Sequence, residues 1–527
     1  MRRIRAAIVP SIIVTRGLIL ALLLLAASPS LAEISRPEAP ASAVSGEELR
    51  AVVDAAVELG RSGDCGGVLA RLDPLLAQFG PGAERNVIQR LRLACLGPVG
   101  REAELGEVQR ELAAALPRDG YVRSYGILIA ATEGRFEEAA QQLAALAEDD
   151  PGSLKMVSGR SWRGIAQKLN ERAQYALRDR VFVALARADW QPQDRPDMRD
   201  ALAQGAIEAL LAKKEIDEAA GLLDRVEVPE LLYAMATERL YEPLWPQIEA
   251  RLGPQTGAAV DQFARTRLED FARSPDDAHA RRDAVRAFIL LGRYAEAAEV
   301  AGTVAVADGM DEDDVAAVRY HSQALAALGK RAEAAERLGG FARLDLAKTP
   351  EAVSGLVGYA ELLDEQGRSA EALAAARSTL ALGSDALSPW GRMWLKRTEA
   401  CALEAMGRTA EARAAGGELR GAADQNPAAA IEALLCLKRD GEAAAIAVKA
   451  LGTNESASAI ADQFQPDGAI WAPAQSRLRA LWTSFLARPD VKAAFERRAR
   501  ILPRPLWPSR TPRAIPRARL VNPGPVA

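Results

Sequence analysis

Histidine and aromatic residues are scarce in this sequence. The chain has two histidines among 527 residues, and Phe, Trp and Tyr together make up 5% of it. With so few imidazoles, a histidine-rich metal site or a histidine-based proton relay is not expected. Strands favour β-branched and aromatic side chains, whereas alanine and leucine dominate here, so the composition favours an all-α fold. The length suits several domains or one long array of repeats.

The sequence motifs of common enzyme classes are also missing. The chain has no Walker loop and no G-x-G-x-x-G, H-E-x-x-H, C-x-x-C or G-x-S-x-G, so phosphate cradles, zinc sites and nucleophile elbows lack their residues. The acidic run Asp311–Asp314 lacks the alternating ligands of an EF-hand, and its place before a helix indicates a helix cap. We therefore expect no catalysis, no cofactor and no metal. A hydrolase that uses carboxylates is the enzymatic alternative.

The N-terminus has the pattern of a secretory signal peptide. Four arginines precede an unbroken apolar run over 18–27, and Ser30-Leu31-Ala32 has the small-x-small pattern of a signal peptidase site. We predict a signal peptide over 1–32 that is cleaved after Ala32, a linker over 33–46, and a periplasmic mature protein. The alternative is an uncleaved leader that keeps the protein anchored in the inner membrane. No later segment has the roughly 18 apolar residues of a membrane helix.

Charge is divided unevenly along the chain. The formal net charge is −4, yet four arginines lie in the leader and eight lie from Arg497 onward, where there is no acid. Without these two groups of arginines, residues 33–496 have a formal net charge of −16. A nucleic-acid-binding protein carries basic charge on its folded surface, so this distribution predicts no nucleic acid among the partners.

An eight-residue pattern, a turn followed by small residues, recurs through the chain. Its turn residues are Gly134, Lys214, Gly292, Gly329, Gly367 and Gly407, separated by 80, 78, 37, 38 and 40 residues. The first two steps are close to twice the others, as if one degenerate unit sat within each. A glycine can end the first helix in a left-handed cap, and the alanines after it let a second helix approach closely. Because one hairpin cannot cover both of its apolar faces, such units must stack.

This pattern resembles the tetratricopeptide repeat (TPR) family. A unit of that family has a glycine, an aromatic residue two positions later, an alanine three further on and a proline near its end. Gly134, Phe136, Ala139 and Pro151 match all four positions. The early tryptophan of the family is missing, and the period exceeds the usual length of about 34 residues. The resemblance implies an all-α, right-handed α-solenoid of stacked helical hairpins that binds proteins.

The resemblance also predicts how the chain is organised. We expect N-terminal degenerate hairpins over 47–119, TPR-like repeats over 120–426, capping helices over 427–502 and a Pro/Arg-rich extended tail over 503–527. Cys65 and Cys95 are 30 residues apart, and Cys401 and Cys436 are 35 apart, so each spacing is near one repeat. Each pair is therefore a candidate disulfide in an oxidising compartment. The alternative, that all four cysteines are small buried hydrophobic residues, stays open.

In the TPR family the first helices of successive hairpins line a concave groove that holds an extended peptide or a helix. The register of this chain places five side chains toward such a groove: Arg282, Arg286, Arg319, Trp394 and Arg397. Arginines beside an aromatic residue suit a carboxylate or an acidic segment of a partner. The alternative is a solvated helix face that carries salt bridges.

The tail alternates proline with arginine, which predicts an extended chain because proline removes backbone donors. Leu506-Trp507-Pro508 is expected to dock on the last helix. The tail arginines are then available to an anionic membrane surface or an acidic partner: Arg504, Arg510, Arg513, Arg517 and Arg519.

These features together predict an exported TPR-like scaffold that binds protein partners in the cell envelope and has no catalysis of its own. The alternatives are a membrane-anchored envelope assembly factor and an uncharacterised envelope hydrolase.

Overall fold

A computed structural model of the chain describes residues 46–383, 386–471 and 476–517. The predicted signal peptide, its cleavage site after Ala32 and nearly all of the predicted linker lie outside the described residues, as does the end of the tail with Arg519. Every regular element in the described ranges is a helix, and the pairing of Glu238 with Ala499 is an isolated bridge. No helix among them has the length and apolar character needed to cross a membrane. The predicted all-α fold is confirmed.

The chain divides into two compact units, and the division falls within one helix, at residues 206 and 207. The N-terminal unit contains α1 (Gly46–Arg61), α2 (Cys65–Leu72), α3 (Ala83–Leu96), α4 (Glu102–Ala115), α5 (Gly120–Thr132), α6 (Phe136–Asp149), α7 (Gly159–Glu171), α8 (Tyr175–Arg187) and the first part of α9 (Met198–Ala212).

The C-terminal unit runs from the end of α9 to residue 517 in its described part. Its helices are α10 (Ile216–Gly221), α11 (Pro229–Thr237), α12 (Trp245–Leu252), α13 (Gly257–Arg273), α14 (Ala278–Leu290), α15 (Tyr294–Gly302), α16 (Glu312–Ala327), α17 (Arg331–Gly339), α18 (Ala352–Glu365), α19 (Ser369–Leu380), α20 (Pro389–Ala405), α21 (Thr409–Gly421), α22 (Pro427–Cys436), α23 (Asp440–Ala450), α24 (Asn454–Ala457), α25 (Arg477–Phe485) and α26 (Pro489–Arg498).

The hairpin turns predicted from the repeat share one geometry. The φ angle lies between +73° and +79° at all five glycines of the pattern: Gly134, Gly292, Gly329, Gly367 and Gly407. The residue after each glycine donates its N–H to the carbonyl five residues earlier, as Arg293 does to Phe288 at 2.8 Å. This bond defines a Schellman cap, which needs a left-handed residue at the glycine position.

The long intervals of the repeat contain turns that the pattern does not mark. Between Gly134 and Lys214 a hairpin turns at Ala173, 39 residues after the first and 41 before the second, with φ of +55°. Gly253 lies 39 residues from both Lys214 and Gly292 and also has a positive φ. The degenerate units inferred from the spacing therefore correspond to turns in the structure. Ala173 leaves no glycine signature, because its left-handed conformation is imposed by the hairpin around it.

The alanines of the pattern allow close packing within each hairpin. All five that follow the glycines are fully buried: Ala139, Ala297, Ala334, Ala372 and Ala412. In the C-terminal unit the first helices α14, α16, α18, α20 and α22 contact one another in order, and we call them the first-helix layer. The second helices α15, α17, α19 and α21 each contact the first helices on both sides. Within this unit, the stacked TPR-like hairpins predicted from the sequence are confirmed.

Each unit contains one disulfide. Cys65 at the start of α2 is bonded to Cys95 in α3, with Cα atoms 4.9 Å apart. Cys401 in α20 is bonded to Cys436 at the end of α22, with Cα atoms 5.3 Å apart. The second bond joins two neighbouring first helices. All four cysteines are therefore paired, which answers the question that their spacing left open.

Loss of a disulfide should destabilise only the unit that contains it. We expect the Cys401→Ser/Cys436→Ser variant to lose about 2–4 kcal/mol of unfolding free energy, because the unfolded chain regains the entropy of an open loop. Urea unfolding followed by hydrogen exchange of peptides from each unit measures this loss. The Cys65→Ser/Cys95→Ser variant is the matched control and should weaken the N-terminal unit instead. Unchanged exchange in both variants would contradict the prediction.

Candidate functional site

Three of the predicted groove arginines occupy one repeat position. Arg282, Arg319 and Arg397 each lie ten residues before the hairpin glycine of their own unit. The structure places them on α14, α16 and α20, so all three belong to the first-helix layer. Their surroundings nevertheless differ, and this difference locates the accessible part of the layer.

Arg282 is held by carboxylates of its own chain. Its guanidinium lies 2.6 Å from the carboxylate of Asp283 and is also paired with Asp313 on α16. His279 faces the same two carboxylates, with its Nδ1 atom 3.4 Å from Oδ2 of Asp313. The hydrogen bond to Asp313 raises the pKa of His279, although burial opposes the shift. Asp311 accepts the N–H of Asp314, so the acidic run begins with the helix cap predicted from the sequence.

Arg286 also has a partner within the unit. It forms an ion pair with Glu230 of α11, with 2.9 Å between Nη2 and Oε2. Its guanidinium lies 5.3 Å from the ring centroid of Phe263 on α13. Arg282 and Arg286 thus carry salt bridges, as in the alternative interpretation, but their side chains are only 12% and 21% exposed, so this is not the solvated face of that interpretation.

Arg397 is buried among three carboxylates. Its guanidinium nitrogens lie 3.0 Å from Asp364, 3.0 Å from Glu432 and 3.3 Å from Glu361. Trp394, which is 2% exposed, lies with its ring centroid 5.3 Å from the guanidinium. Burial raises the pKa of the Asp364 carboxyl, against the opposing effect of Arg397. Both residues belong to the first-helix layer as predicted, but the structure gives them a role in the core instead of an exposed one.

The C-terminal segment, residues 476–517, covers this part of the first-helix layer. Trp482 of α25 donates its indole N–H to Glu432 of α22 at 3.1 Å. Arg477 forms an ion pair with Asp364 of α18 at 3.1 Å, and Ser476 donates to Glu365 at 2.6 Å. Helix α25 thus reaches the first helices on either side of α20. The surface predicted for a partner peptide is occupied here by a segment of the same chain.

The chain then returns to α11 and α12 through an inner tail, residues 499–508. The N–H of Arg500 donates to the carbonyl of Thr237 at 2.8 Å, and its Nε donates to that of Ala236 at 2.9 Å. The guanidinium of Arg500 is paired with Glu249 and lies 3.5 Å from the ring centroid of Trp245. A single arginine therefore holds the returning chain through its backbone, its charge and its flat face.

The apolar part of the tail is docked, with residues 504–506 against residues 254–256, whereas its predicted contact with the last helix stays a prediction. Leu506 is buried, and Trp507 donates its indole N–H to the carbonyl of Leu502 at 2.7 Å. Arg504 is exposed, and its guanidinium lies 5.2 Å from the Trp507 ring centroid.

The outer tail, residues 509–517, also contacts the unit. Arg513 forms an ion pair with Asp261 of α13 at 2.7 Å, and Arg510 donates to the carbonyl of Asp467. Arg517 accepts a hydrogen bond at its carbonyl from Arg265. The expectation that the tail arginines are held free for an anionic surface needs correction here, since Arg510 and Arg513 bind groups of the chain itself.

The acidic partners of the tail were not identified from the sequence. Glu249 and Asp261 are ordinary polar positions on α12 and α13, and no motif surrounds them. The one signal in the sequence was the opposite charge of the tail and of residues 33–496, which we call the body; it favours contact between them without saying where.

Arg319 remains exposed on α16. Its Nε atom would lie 3.9 Å from a Cβ atom placed on Gly358 of α18, so the side chain runs along a position that has no side chain of its own. Of the five residues predicted to line the groove, it is the one that the structure presents to solvent.

No protein-family model matches the sequence, and no curated protein matches it. Several solved structures are similar to it, among them the following two. The crystal structure of the yeast Tom70 has 14% identity, covers 86% of this chain and 96% of that chain, and gives a TM-score of 0.33. The structure of Naa15/Naa10 bound to HypK-THB has 13% identity, covers 85% of this chain and 73% of that chain, and gives a TM-score of 0.25. At these TM-scores neither likeness carries a conclusion about function.

Replacing Arg397 should be far more damaging than replacing an exposed arginine. We expect Arg397→Met to lose about 3–5 kcal/mol of unfolding free energy, because Glu432 would remain buried without its ion-pair partner and Asp364 would keep only its pair with the exposed Arg477. The matched control is Arg408→Met, whose partner Glu411 is exposed, and it should lose about 1 kcal/mol or less.

Urea unfolding at neutral and mildly acidic pH measures both losses. The deficit of Arg397→Met should shrink as the pH falls, since protonation removes the unpaired charges. Equal losses in the two variants would contradict a stabilising role for the Arg397 cluster.

Proposed function

We propose that the protein is an exported scaffold that binds protein partners through the first-helix layer of its C-terminal unit, without chemistry of its own. One observation carries the proposal: this layer already binds a polypeptide, the C-terminal segment. It does so with carboxylates of α18 and α22, and the neighbouring α11 adds backbone carbonyls. Such groups recognise extended chains and basic side chains, as peptide-binding surfaces do.

The accessible part of the layer is the stretch of α16 and α18 around Arg319. An exposed arginine beside a glycine suits a carboxylate of a partner, since a guanidinium binds a carboxylate through two parallel hydrogen bonds. Partners with an acidic segment therefore fit this stretch. The carboxylates around Arg397 are buried and ion-paired, so they offer no accessible pair for hydrolysis.

Two features support export. The leader has the pattern of a secretory signal, and both disulfides are of the kind that persists in an oxidising compartment. We propose a periplasmic location, in which the mature chain begins at Glu33. An uncleaved leader would instead make the protein a membrane-anchored assembly factor with the same binding surface.

A photo-crosslinking residue in place of Arg319 should capture partners in the native compartment. We expect discrete adducts from position 319 that are absent when the same residue replaces Glu371, an exposed position on the second helix α19. An Arg319→Glu variant should copurify with less of each captured protein, because its charge repels an acidic segment. Mass spectrometry of the adducts identifies the partners. The same adducts from both positions, or none from either, would refute the proposed surface.

The location is tested by fractionation and N-terminal sequencing. We expect the protein in the soluble periplasmic fraction with Glu33 at its N-terminus. An Ala32→Arg variant, which lacks the small residue required by signal peptidase, should keep its leader and stay with the membrane. Retention of Met1 in the unaltered protein would support the membrane-anchored alternative instead.

A further inference from the structure

The outer tail is bound at a small site on α13 and α14 that is built for one arginine. The guanidinium of Arg513 meets the carboxylate of Asp261 through two hydrogen bonds, 3.0 Å from Nε and 2.7 Å from Nη2. The N–H of Arg513 donates to the carbonyl of Leu291 at 2.8 Å. The site therefore recognises both the side chain and the backbone of the same residue, and we call it the Asp261 site.

Gly257 makes room for the arginine of the bound segment. A Cβ atom on Gly257 would come within 2.6 Å of the Arg513 guanidinium. The φ of Gly257 is −68°, an ordinary helical value, so its backbone does not require glycine there. Gly292 adjoins the bound segment as well: a Cβ atom there would be in ordinary contact with Cα of Pro512, at 3.4 Å. The absence of a side chain at Gly257 therefore fits the bound arginine, and Gly292 contacts the proline before it.

The outer tail is held less deeply than the inner tail. Ala499, Leu502 and Leu506 of the inner tail are buried, whereas Pro512 is exposed. The side chains of Arg513 and Asp261 keep 26% and 36% of their exposure, so water and salt reach the ion pair that joins them. Release of the outer tail therefore breaks polar surface contacts and leaves the buried inner tail in place.

We propose that the Asp261 site binds an extended Pro-Arg segment of a partner protein, in competition with the outer tail of the chain itself. This inference rests on the proposed function and specifies the chemistry of one partner segment. The arginine of that segment pairs with Asp261, its backbone N–H binds the Leu291 carbonyl, and the preceding proline lies against Gly292. The outer tail occupies the Asp261 site through these same contacts, so it competes with the partner segment from within the chain.

Competition from a tethered segment is strong. A short linker gives its segment an effective concentration on the order of millimolar, so a free peptide competes poorly with the intact tail. Weakening the tail at Arg513 removes much of this competition while leaving the Asp261 site unchanged. Peptide binding with the intact tail and with the weakened tail can therefore be compared in the full-length chain.

The experiment measures binding of a fluorescent peptide with the sequence of residues 507–517 by anisotropy. We expect it to bind full-length Arg513→Ala protein at least tenfold more tightly than the unaltered protein. Binding should weaken as salt is added. The same peptide carrying Arg513→Ala is the matched control and should not bind. Circular dichroism and a melting curve establish that the protein variants remain folded.

A second variant locates the binding. Adding Asp261→Asn to the Arg513→Ala protein should abolish binding of the peptide, since the amide cannot neutralise a guanidinium. Failure of the peptide to bind Arg513→Ala protein, or equal binding with and without Asp261→Asn, would overturn the proposal. A concentration-dependent dimer of the unaltered protein that Asp261→Asn abolishes would assign the site to a second copy and also overturn it. Crosslinking at position 319 is independent, so either proposal can fail alone.

Discussion

A helical hairpin has an apolar face on each side, and both faces must be covered. The C-terminal unit depends on how the outer face of its last stacked hairpin, α22 and α23, is covered. Hairpins within the stack cover one another, but in the described part of the chain no further hairpin of the repeat packs beyond α22 and α23. Their face is covered by α25 and α26, which meet in an aromatic cluster. Phe464 lies 4.9 Å from Trp482 and 5.1 Å from Phe495 between ring centroids. In a chain with few aromatic residues, their concentration here reflects the large apolar area that the end of a stack must bury.

Covering that face also changes the electrostatics of the layer beneath it. Arg282, Arg319 and Arg397 have the same repeat position, yet Arg397 alone is enclosed, because α25 lies across its neighbours. Once water is removed, its charge must be balanced, and three carboxylates from α18 and α22 surround it. Repeat position therefore does not determine the role of a residue. The role depends on whether a later part of the chain lies over it.

The local features of the fold were predictable because their causes are local. A glycine in a left-handed cap and an alanine at a helix crossing act through neighbouring residues, so the turns at Gly292 and Gly407 were found from sequence alone. The spacing of Cys401 and Cys436 near one repeat correctly suggested a pair. The turn at Ala173 has no residue signature, because hairpin packing and not residue type sets its conformation. From the sequence it could be inferred only from the doubled spacing between Gly134 and Lys214.

The contacts of the candidate site could not be predicted, because they join distant parts of the chain. Arg513 and Asp261 are 252 residues apart, and neither lies in a motif. Trp394 and Arg397 lie on the first helix α20 but are buried, and the sequence could not show this because the covering residues such as Trp482 come much later in the chain. A repeat pattern describes how neighbouring units pack. It contains no information about a segment that crosses several of them.

The basic tail is not electrostatically separate from the acidic region that precedes it. Arginines of the tail neutralise acids of the body, as Arg500 does with Glu249 and Arg513 with Asp261. The inner pair is reinforced by backbone bonds and by the face of Trp245, whereas the outer pair stands partly in solvent. Electrostatic attraction therefore brings both the inner and the outer tail back to the body, but burial retains only the inner tail. A partner with a Pro-Arg segment therefore needs to displace only the outer tail from the Asp261 site, and the inner tail stays in place.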